Sequence, residues 1–251
     1  MSRRARLDAE LVRRGLAPSR TEAAQLVDEK RVLVNGAVAD KTSRQVHPGD
    51  SVVVSGPPAR FVSRGGEKLE AALSHWNIDV RELRVLDAGA STGGFTDCLL
   101  QRGAAHVVAA DVGHGQLHPR IRDDERVLVL EHYNVREMTA DDIGGLVDIV
   151  VADLSFISLT LVAERLVSVC REGGEVIVLV KPQFEVGRIE ASRGKGIVTD
   201  PLLWDDACRK VSAAFDAAGA TPLEVIESPL LGGEGNKEFL LRARVRARLS
   251  A

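Results

Sequence analysis

The 251-residue chain is 45% hydrophobic and 27% charged, with a net charge of −3, ordinary values for a soluble globular protein of one large or two unequal domains. No run approaches the roughly 20 apolar residues of a membrane span, and the charged opening MSRRARLDAELVRRG lacks the apolar core of a leader, so the cytoplasm is the expected compartment. Cys98, Cys170 and Cys208 show no CxxC spacing, which fits reduced, packed thiols and speaks against a disulfide framework or a metal cluster. The charge is uneven. Residues 1–60 carry +4 and the remainder −7, which suits a basic head that meets a polyanion, with a merely solvated charged face as the alternative.

In chain order, RLDAELVRRGLA sets Leu7, Leu11 and Leu16 at helical spacing. Ser19, with Glu22 three residues on, forms a capping box for a second helix in SRTEAAQLVDEK. RVLVNGAVAD reads as strand, Asn-Gly turn, strand, and PGDSVVV as a short closing strand. SGPPARFVSRGG reads as a linker through Pro57 and Pro58, with Phe61 and Val62 docked on one domain. From Glu67 the runs RVLDAG, HVVAADV, RVLVLEH, VDIVVADLS, GEVIVLVKP, TPLEVIES and EFLLRARV read as strands. Helical stretches such as FTDCLLQRG and LTLVAERLVSVCRE lie between some of them. Alternating β and α implies a parallel sheet covered on both faces, with ligands beyond the carboxyl ends of its strands. The expected division is a head over 1–58, a linker over 59–66 and a body over 67–251.

VLDAGASTGGFTD follows a strand and opens a helix, and Gly89, Gly93 and Gly94 allow the backbone to approach a ligand. The pattern is not the GxGxxG of a dinucleotide loop. Asp87-x-Gly89-x-x-x-Gly93-Gly94-Phe95-Thr96 resembles the first motif of S-adenosylmethionine-dependent methyltransferases, in the version typical of ribose methyltransferases related to FtsJ. The resemblance implies donor contacts from Asp87, Gly89, Ser91, Thr92, Gly93, Gly94, Phe95 and Asp153. Asp111 ends the next strand, 17 residues past Gly94, where an acid can accept both ribose hydroxyls of a nucleoside; the alternative is a helix cap. Asn134 ends the third strand near the expected adenine edge, and Asn is also a good turn residue.

The surrounding residues narrow the chemistry. Amino-group methylation usually shows [ND]-P-P-[YF], where this chain has Asp153-Leu154-Ser155-Phe156, and no Cys follows a Pro as carbon-5 methylation of cytosine commonly requires. Lys68, Asp153, Lys181 and Glu238 fall in order at element ends and resemble the catalytic tetrad of FtsJ-like 2′-O-ribose methyltransferases. Singly, Lys68 or Glu238 reads as a solvated ion, whereas Lys181 follows an apolar strand and is harder to dismiss. A ribose hydroxyl is a poor nucleophile, and methyl transfer needs its oxygen aligned behind the methyl. The resemblance assigns Lys181 to that oxygen, with Lys68 as a second cation favouring loss of the Lys181 proton, and Asp153 and Glu238 to orientation and proton relay.

The head, with SRTEAAQLVDEKRVLVNG, resembles the S-four-like RNA-binding domain of a small-subunit ribosomal protein. Head and body together resemble the TlyA family of 16S/23S rRNA cytidine 2′-O-methyltransferases through RLDAELVRRGLA, FVSRGGEKL, DAGASTGGFTD, DLSFISL, VLVKPQFE and GNKEFLL. The fold class implied is α/β, a Rossmann-like methyltransferase domain with a mostly parallel seven-stranded sheet and a small α+β S-four-like domain at its N-terminus. The implied partners are 16S and 23S rRNA within ribosomal subunits, with S-adenosylmethionine as cofactor, no metal and no membrane; a monomer is compatible with the sequence. Expected RNA contacts are Arg3, Arg4, Arg6, Arg14, Arg20 and Lys41 in the head, then Arg64, Phe156 and Arg193. Arg193 lies with Arg188 and Lys195 in a loop equally readable as a solvated surface segment, and Phe156 would stack on a displaced base or belong to the core. SRRAR resembles the extended family form that modifies both subunits. Rival readings are a pseudouridine synthase, since Arg6-Leu7-Asp8 matches its R-L-D letters but sits in the first helix, a non-catalytic rRNA-binding assembly factor, and a membrane-active haemolysin.

Overall fold

A computed structural model describes residues 4–17, 20–56, 59–186, 196–232 and 235–247. It divides into two units, Met1–Ala59 and Arg60–Ala251. In the first, a short strand β1 (Ala5–Arg6) leads into α1 (Leu7–Arg13) and α2 (Arg20–Asp28). β2 (Val32–Val34) and β3 (Ala37–Val38) form the expected hairpin, with Asn35 at φ 53° and Gly36 at φ 81° in its turn. β4 (Gln45–Val46) pairs with β1, and β5 (Val52–Val54) pairs with β2. Leu7, Leu11, Ala23, Val27, Val32 and Val46 form the core. The pairing of β1 with β4 is too short to show as a periodicity, and it places Arg6 in a strand rather than inside the first helix. Ser19, the expected cap of α2, lies outside the described residues.

The second unit starts with α3 (Gly65–His75) and β6 (Arg84–Ala88). α4 (Gly94–Gln101), β7 (His106–Ala110), α5 (Pro119–Arg122), β8 (Val127–Leu130) and β9 (Val147–Ala152) follow. Then come α6 (Ala163–Ser168), β10 (Cys170–Val180), α7 (Pro182–Glu185), α8 (Pro201–Ala217), β11 (Ala220–Glu227) and β12 (Phe239–Val245). The seven strands run β11-β12-β10-β9-β6-β7-β8, parallel except for β12, which is antiparallel to both neighbours. Successive residues along β6, β7 and β9 enter opposite faces. Val85, Val107 and Ile149 pack with Leu69, Leu99 and Ile121, whereas Leu86, Val108 and Val150 pack with Leu166, Val211 and Phe215. A strand buried on both faces reads as an unbroken apolar run, which is why these were legible.

The helix expected through LTLVAERLVSVCRE is cut at both ends. Leu159–Leu161 is a 3-10 turn, α6 ends at Ser168, and Cys170 already belongs to β10. A register shift between Cys170 and Glu175, with Gly173 at φ 72°, lets that strand start earlier than its apolar run. The linker expected over 59–66 is mostly part of the second unit. Phe61 is buried against α3 and α4, and the Val62 N–H donates to Asp97 Oδ2 at 2.8 Å. Gly66 permits this packing, because a Cβ there would lie 2.3 Å from Phe61 Cγ and 2.5 Å from its Cβ. Gly66→Ala is expected to cost about 1–3 kcal/mol through overpacking, read as a lowered Tm of the second unit.

Candidate active site

The order of the strands makes the site. After β6 the chain winds outward through β7 and β8, then returns to lay β9 on the other side of β6. Clefts form at such switch points. Ala88 pairs with Ala152, so the loop after β6 and the loop after β9 leave side by side, and Asp153 N–H donates to the Ala88 carbonyl at 3.0 Å. Val180 pairs with Phe239. That register sets Lys181, just beyond β10, beside Glu238, just before β12.

A cleft of about 600 Å³ opens at the β6, β7 and β9 ends, lined by Gly89, Ser91, Asp111, Asn134, Asp153 and Phe156 among others. Asp111 is held at both oxygens, Oδ2 accepting from Ser91 N–H at 2.8 Å and Oδ1 from Gly113 N–H at 2.7 Å. Asn134 borders the cleft while its Oδ1 accepts from Arg136 N–H at 3.1 Å and caps a 3-10 turn. Tyr133 donates to Asp142 Oδ2 at 2.7 Å, and burial together with that carboxylate pushes its hydroxyl up to about 12.

Other residues of the opening motif build the loop from behind and do not line the cleft. Asp87 is fully buried and accepts from Thr96 Oγ at 2.6 Å, which ties β6 to α4. Burial pushes its carboxyl up to about 7 against the pull of the Thr96 bond. Its Oδ1 has no partner among the described residues. Thr92 accepts from His118 N–H at 3.2 Å, Gly93 faces Leu117 and Ile121, and Phe95 is in the core. A Cβ at Gly94 would meet Ser63 Oγ at 2.2 Å and Gly66 N at 2.9 Å. Close approach to protein is by itself enough to require the glycine pair.

The four charged residues form two ion pairs. Lys68 Nζ, on α3, donates to Glu238 Oε2 at 2.5 Å, and both are buried. Lys181 Nζ lies 2.7 Å from Asp153 Oδ1 and donates to Ser155 Oγ at 2.7 Å. Each lysine thus has its own carboxylate, and Glu238, which pairs Lys68, lines the same cavity as Lys181. A second cavity of about 290 Å³ is lined by Ser155, Phe156, Lys181, Gln183, Asn236 and Glu238, with Phe184 and Gly196. It adjoins the first at Ser155 and Phe156. Phe156 is 91% exposed at φ 64° and lies 5.3 Å from the Phe184 ring, so it is not a core residue. Sequence reasoning missed Ser155, Gln183 and Asn236, whose one visible signal was closeness to the charged residues. Asn236 bridges Val198 N–H and the Gly196 carbonyl, both at 2.8 Å.

In the first unit, two buried acids organise the arginines. Asp8 accepts from Arg6 Nη2 at 2.9 Å and Arg20 Nη2 at 2.8 Å, and these bonds hold its carboxyl well below the usual range. Both guanidiniums remain largely exposed. Glu10, held near 2 chiefly by Arg13, also pairs Arg14 at 2.7 Å. Arg14 is unlike the others. Its side chain is only 20% exposed and also donates to the carbonyls of His47, Pro48 and Asp50, so it fastens α1 to a turn and is not presented to a polyanion. Arg4, Lys41 and Arg64 are exposed. Arg3 and Arg193, with Arg188 and Lys195, lie outside the described residues. Among those described, no cluster of His, Cys, Asp or Glu could hold a metal.

A seven-stranded, mostly parallel sheet with one antiparallel strand and a cleft at its switch point defines a methyltransferase architecture. The chain belongs to the FtsJ-like methyltransferase family, whose model matches residues 61–245, and an S4 domain matches residues 5–52. It is 49% identical to the 16S/23S rRNA (cytidine-2′-O)-methyltransferase TlyA of Mycobacterium tuberculosis over 98% of this chain and 92% of that one. It is 31% identical to the 23S rRNA (cytidine-2′-O)-methyltransferase TlyA of Campylobacter jejuni, over 88% and 92%. Among solved structures, a candidate hemolysin of Streptococcus thermophilus matches with a TM-score of 0.77 at 38% identity, covering 98% of this chain and 90% of that one.

The Asp87 environment gives a test by pH. Between about pH 4 and 7 the folded carboxyl keeps a proton that the unfolded chain releases, so this group lowers stability as pH rises through that window. Asp87→Asn removes the titration and keeps an acceptor for Thr96. The variant's Tm is expected to lose less than wild type between pH 5 and 7.5 in parallel melts.

Proposed function

We propose that the chain transfers the methyl group of S-adenosylmethionine to cytidine 2′-hydroxyls of 16S and 23S rRNA, acting in the cytoplasm on ribosomal subunits. The observation that carries this reading is Lys181, held between Asp153 and Ser155 where the two cavities meet. The first cavity suits the methyl donor. Its volume is that of a small-ligand site, and Asp111 is oriented by two amides so that its remaining lone pairs face outward for ribose hydroxyls. Asn134 stands at the nucleobase end. When bound, S-adenosylmethionine supplies a methyl group activated by its sulfonium.

The second cavity suits the acceptor. Lys181 is placed to hydrogen-bond the 2′-oxygen and to steady the charge that grows there as its proton leaves, with Asp153 orienting the lysine. Glu238 lines the same cavity and is fixed by Lys68, which makes that pair a buried support for the acceptor wall. Phe156 offers an exposed ring for stacking a displaced base. In the head, Arg6 and Arg20, splayed by one buried carboxylate, are the proposed phosphate contacts with Arg4 and Lys41, and Arg64 is one in the second unit. Greater identity to the 16S/23S relative than to the 23S relative supports action on both subunits. A haemolytic reading gains nothing from the helices, as none among the described residues is long and apolar enough to cross a membrane.

Radiolabelled S-adenosylmethionine with unmodified 30S and 50S subunits tests the reading. Label is expected in both rRNAs, at riboses that resist alkaline cleavage. Lys181→Ala should abolish it while donor affinity stays within about twofold, and Asp111→Ala should weaken donor binding by about tenfold or more. Label-free RNA from a wild type that binds donor would favour the assembly-factor reading. Neutralising Arg6 and Arg20 together should weaken RNA binding and flatten the slope of log K against log salt by about 1–2; an unchanged slope would remove them from the RNA grip.

A further inference from the structure

The loop between Asp153 and Leu159 carries a hydroxyl that the charged tetrad does not include. Lys181 Nζ has two oxygens at 2.7 Å, Asp153 Oδ1 and Ser155 Oγ. Only Ser155 is aligned as a hydrogen bond, and Asp153 Oδ1 has no hydrogen-bond partner among the described residues despite its proximity. The carboxylate supplies charge and the hydroxyl a second, aligned point of contact, so the two together set the direction of the ammonium. Direction matters because an ammonium on a four-carbon stem is otherwise free to turn.

The hydroxyl is itself held in place. The Asp153 N–H is bonded to the Ala88 carbonyl at one end of the loop. At the other end, Glu185 accepts from Ser158 Oγ at 2.5 Å and Leu159 N–H at 2.8 Å. Glu185 sits on α7, four residues beyond Lys181, so one short helix anchors both the lysine and the loop that aims it. Ser155 is exposed and lines both cavities. A hydroxyl that accepts from an ammonium keeps its own proton to donate, so Ser155 can serve Lys181 and still face an oxygen in the acceptor cavity.

We infer that Ser155 is a positioning residue of the reaction, fixing the Lys181 ammonium at the junction of the two cavities so that it meets the acceptor oxygen in line with the donor. This rests on the methyltransferase reading above. The test compares wild type, Ser155→Ala and Ser155→Thr in methyl transfer to unmodified 30S and 50S subunits, with donor affinity by calorimetry and Tm alongside. Ser155→Ala is expected to lower kcat about tenfold or more, with KM for subunits, donor Kd and Tm near wild type. Ser155→Thr, which keeps the hydroxyl, should recover most of the lost rate. An alanine variant with full kcat, a loss confined to KM, or a threonine variant as slow as alanine would each overturn the assignment. A wild type inert on both subunits would sink the functional reading itself, whereas an active wild type with an unimpaired alanine variant sinks the assignment alone.

Discussion

The approach of Gly89 to Asp153 governs the rest of the site. A Cβ at Gly89 would meet the Asp153 carbonyl oxygen at 2.7 Å, and the residue is at φ 86°, where only glycine is at ease. With hydrogen in place of a side chain, the loops after β6 and β9 leave the sheet in contact. The first cleft, the acid that ends β9 and the serine two residues on are then within one turn of chain. Add a methyl group, and the two loops separate where the two cavities adjoin.

The two lysine–carboxylate pairs stand on this scaffold and differ in setting. Lys68 and Glu238 are both buried, with Glu238 only 3% exposed. Burying such a pair brings a desolvation cost that its attraction need not recover, so stability alone is a poor reason for it. A rigid charged wall for the second cavity is a better one. Lys181 is as buried as Lys68, and its partner Asp153, at 23%, is the more open of the two carboxylates. The first unit uses the same chemistry differently. There, buried Asp8 and Glu10 each gather two arginines, and whether a guanidinium finds nearby carbonyls decides between a structural clamp, as in Arg14, and an outward-facing cation, as in Arg20.

Much of this was legible in the sequence, for reasons that can be named. Strands buried on both faces leave apolar runs, so β6, β7, β9 and the end of β10 stood out, whereas the edge strand β11 is mostly exposed and its run TPLEVIES is mixed. The Asn-Gly turn announced its hairpin. Asp111, Asp153 and Lys181 were visible because a charge at the end of an apolar strand is conspicuous. Depth was not legible. Asp87 and Phe95 belong to the same motif as Ser91, yet they point to the core, and periodicity does not tell a loop's floor from its back wall. Nor does sequence show partnership. Lys68 beside Glu238, Arg14 turned onto carbonyls, and Ser155 aiming Lys181 all depend on contacts between distant segments or on rotamers that no spacing encodes.

Phe156 shows what the fold gives up for its site. A non-glycine residue at φ 64° costs on the order of 1 kcal/mol or more, and a ring left 91% open to water gains almost nothing from burial to offset it. For a free protein, glycine at 156 would be the more stable choice. The chain therefore carries a small backbone cost at 156 to hold an aromatic face open to solvent beside Phe184.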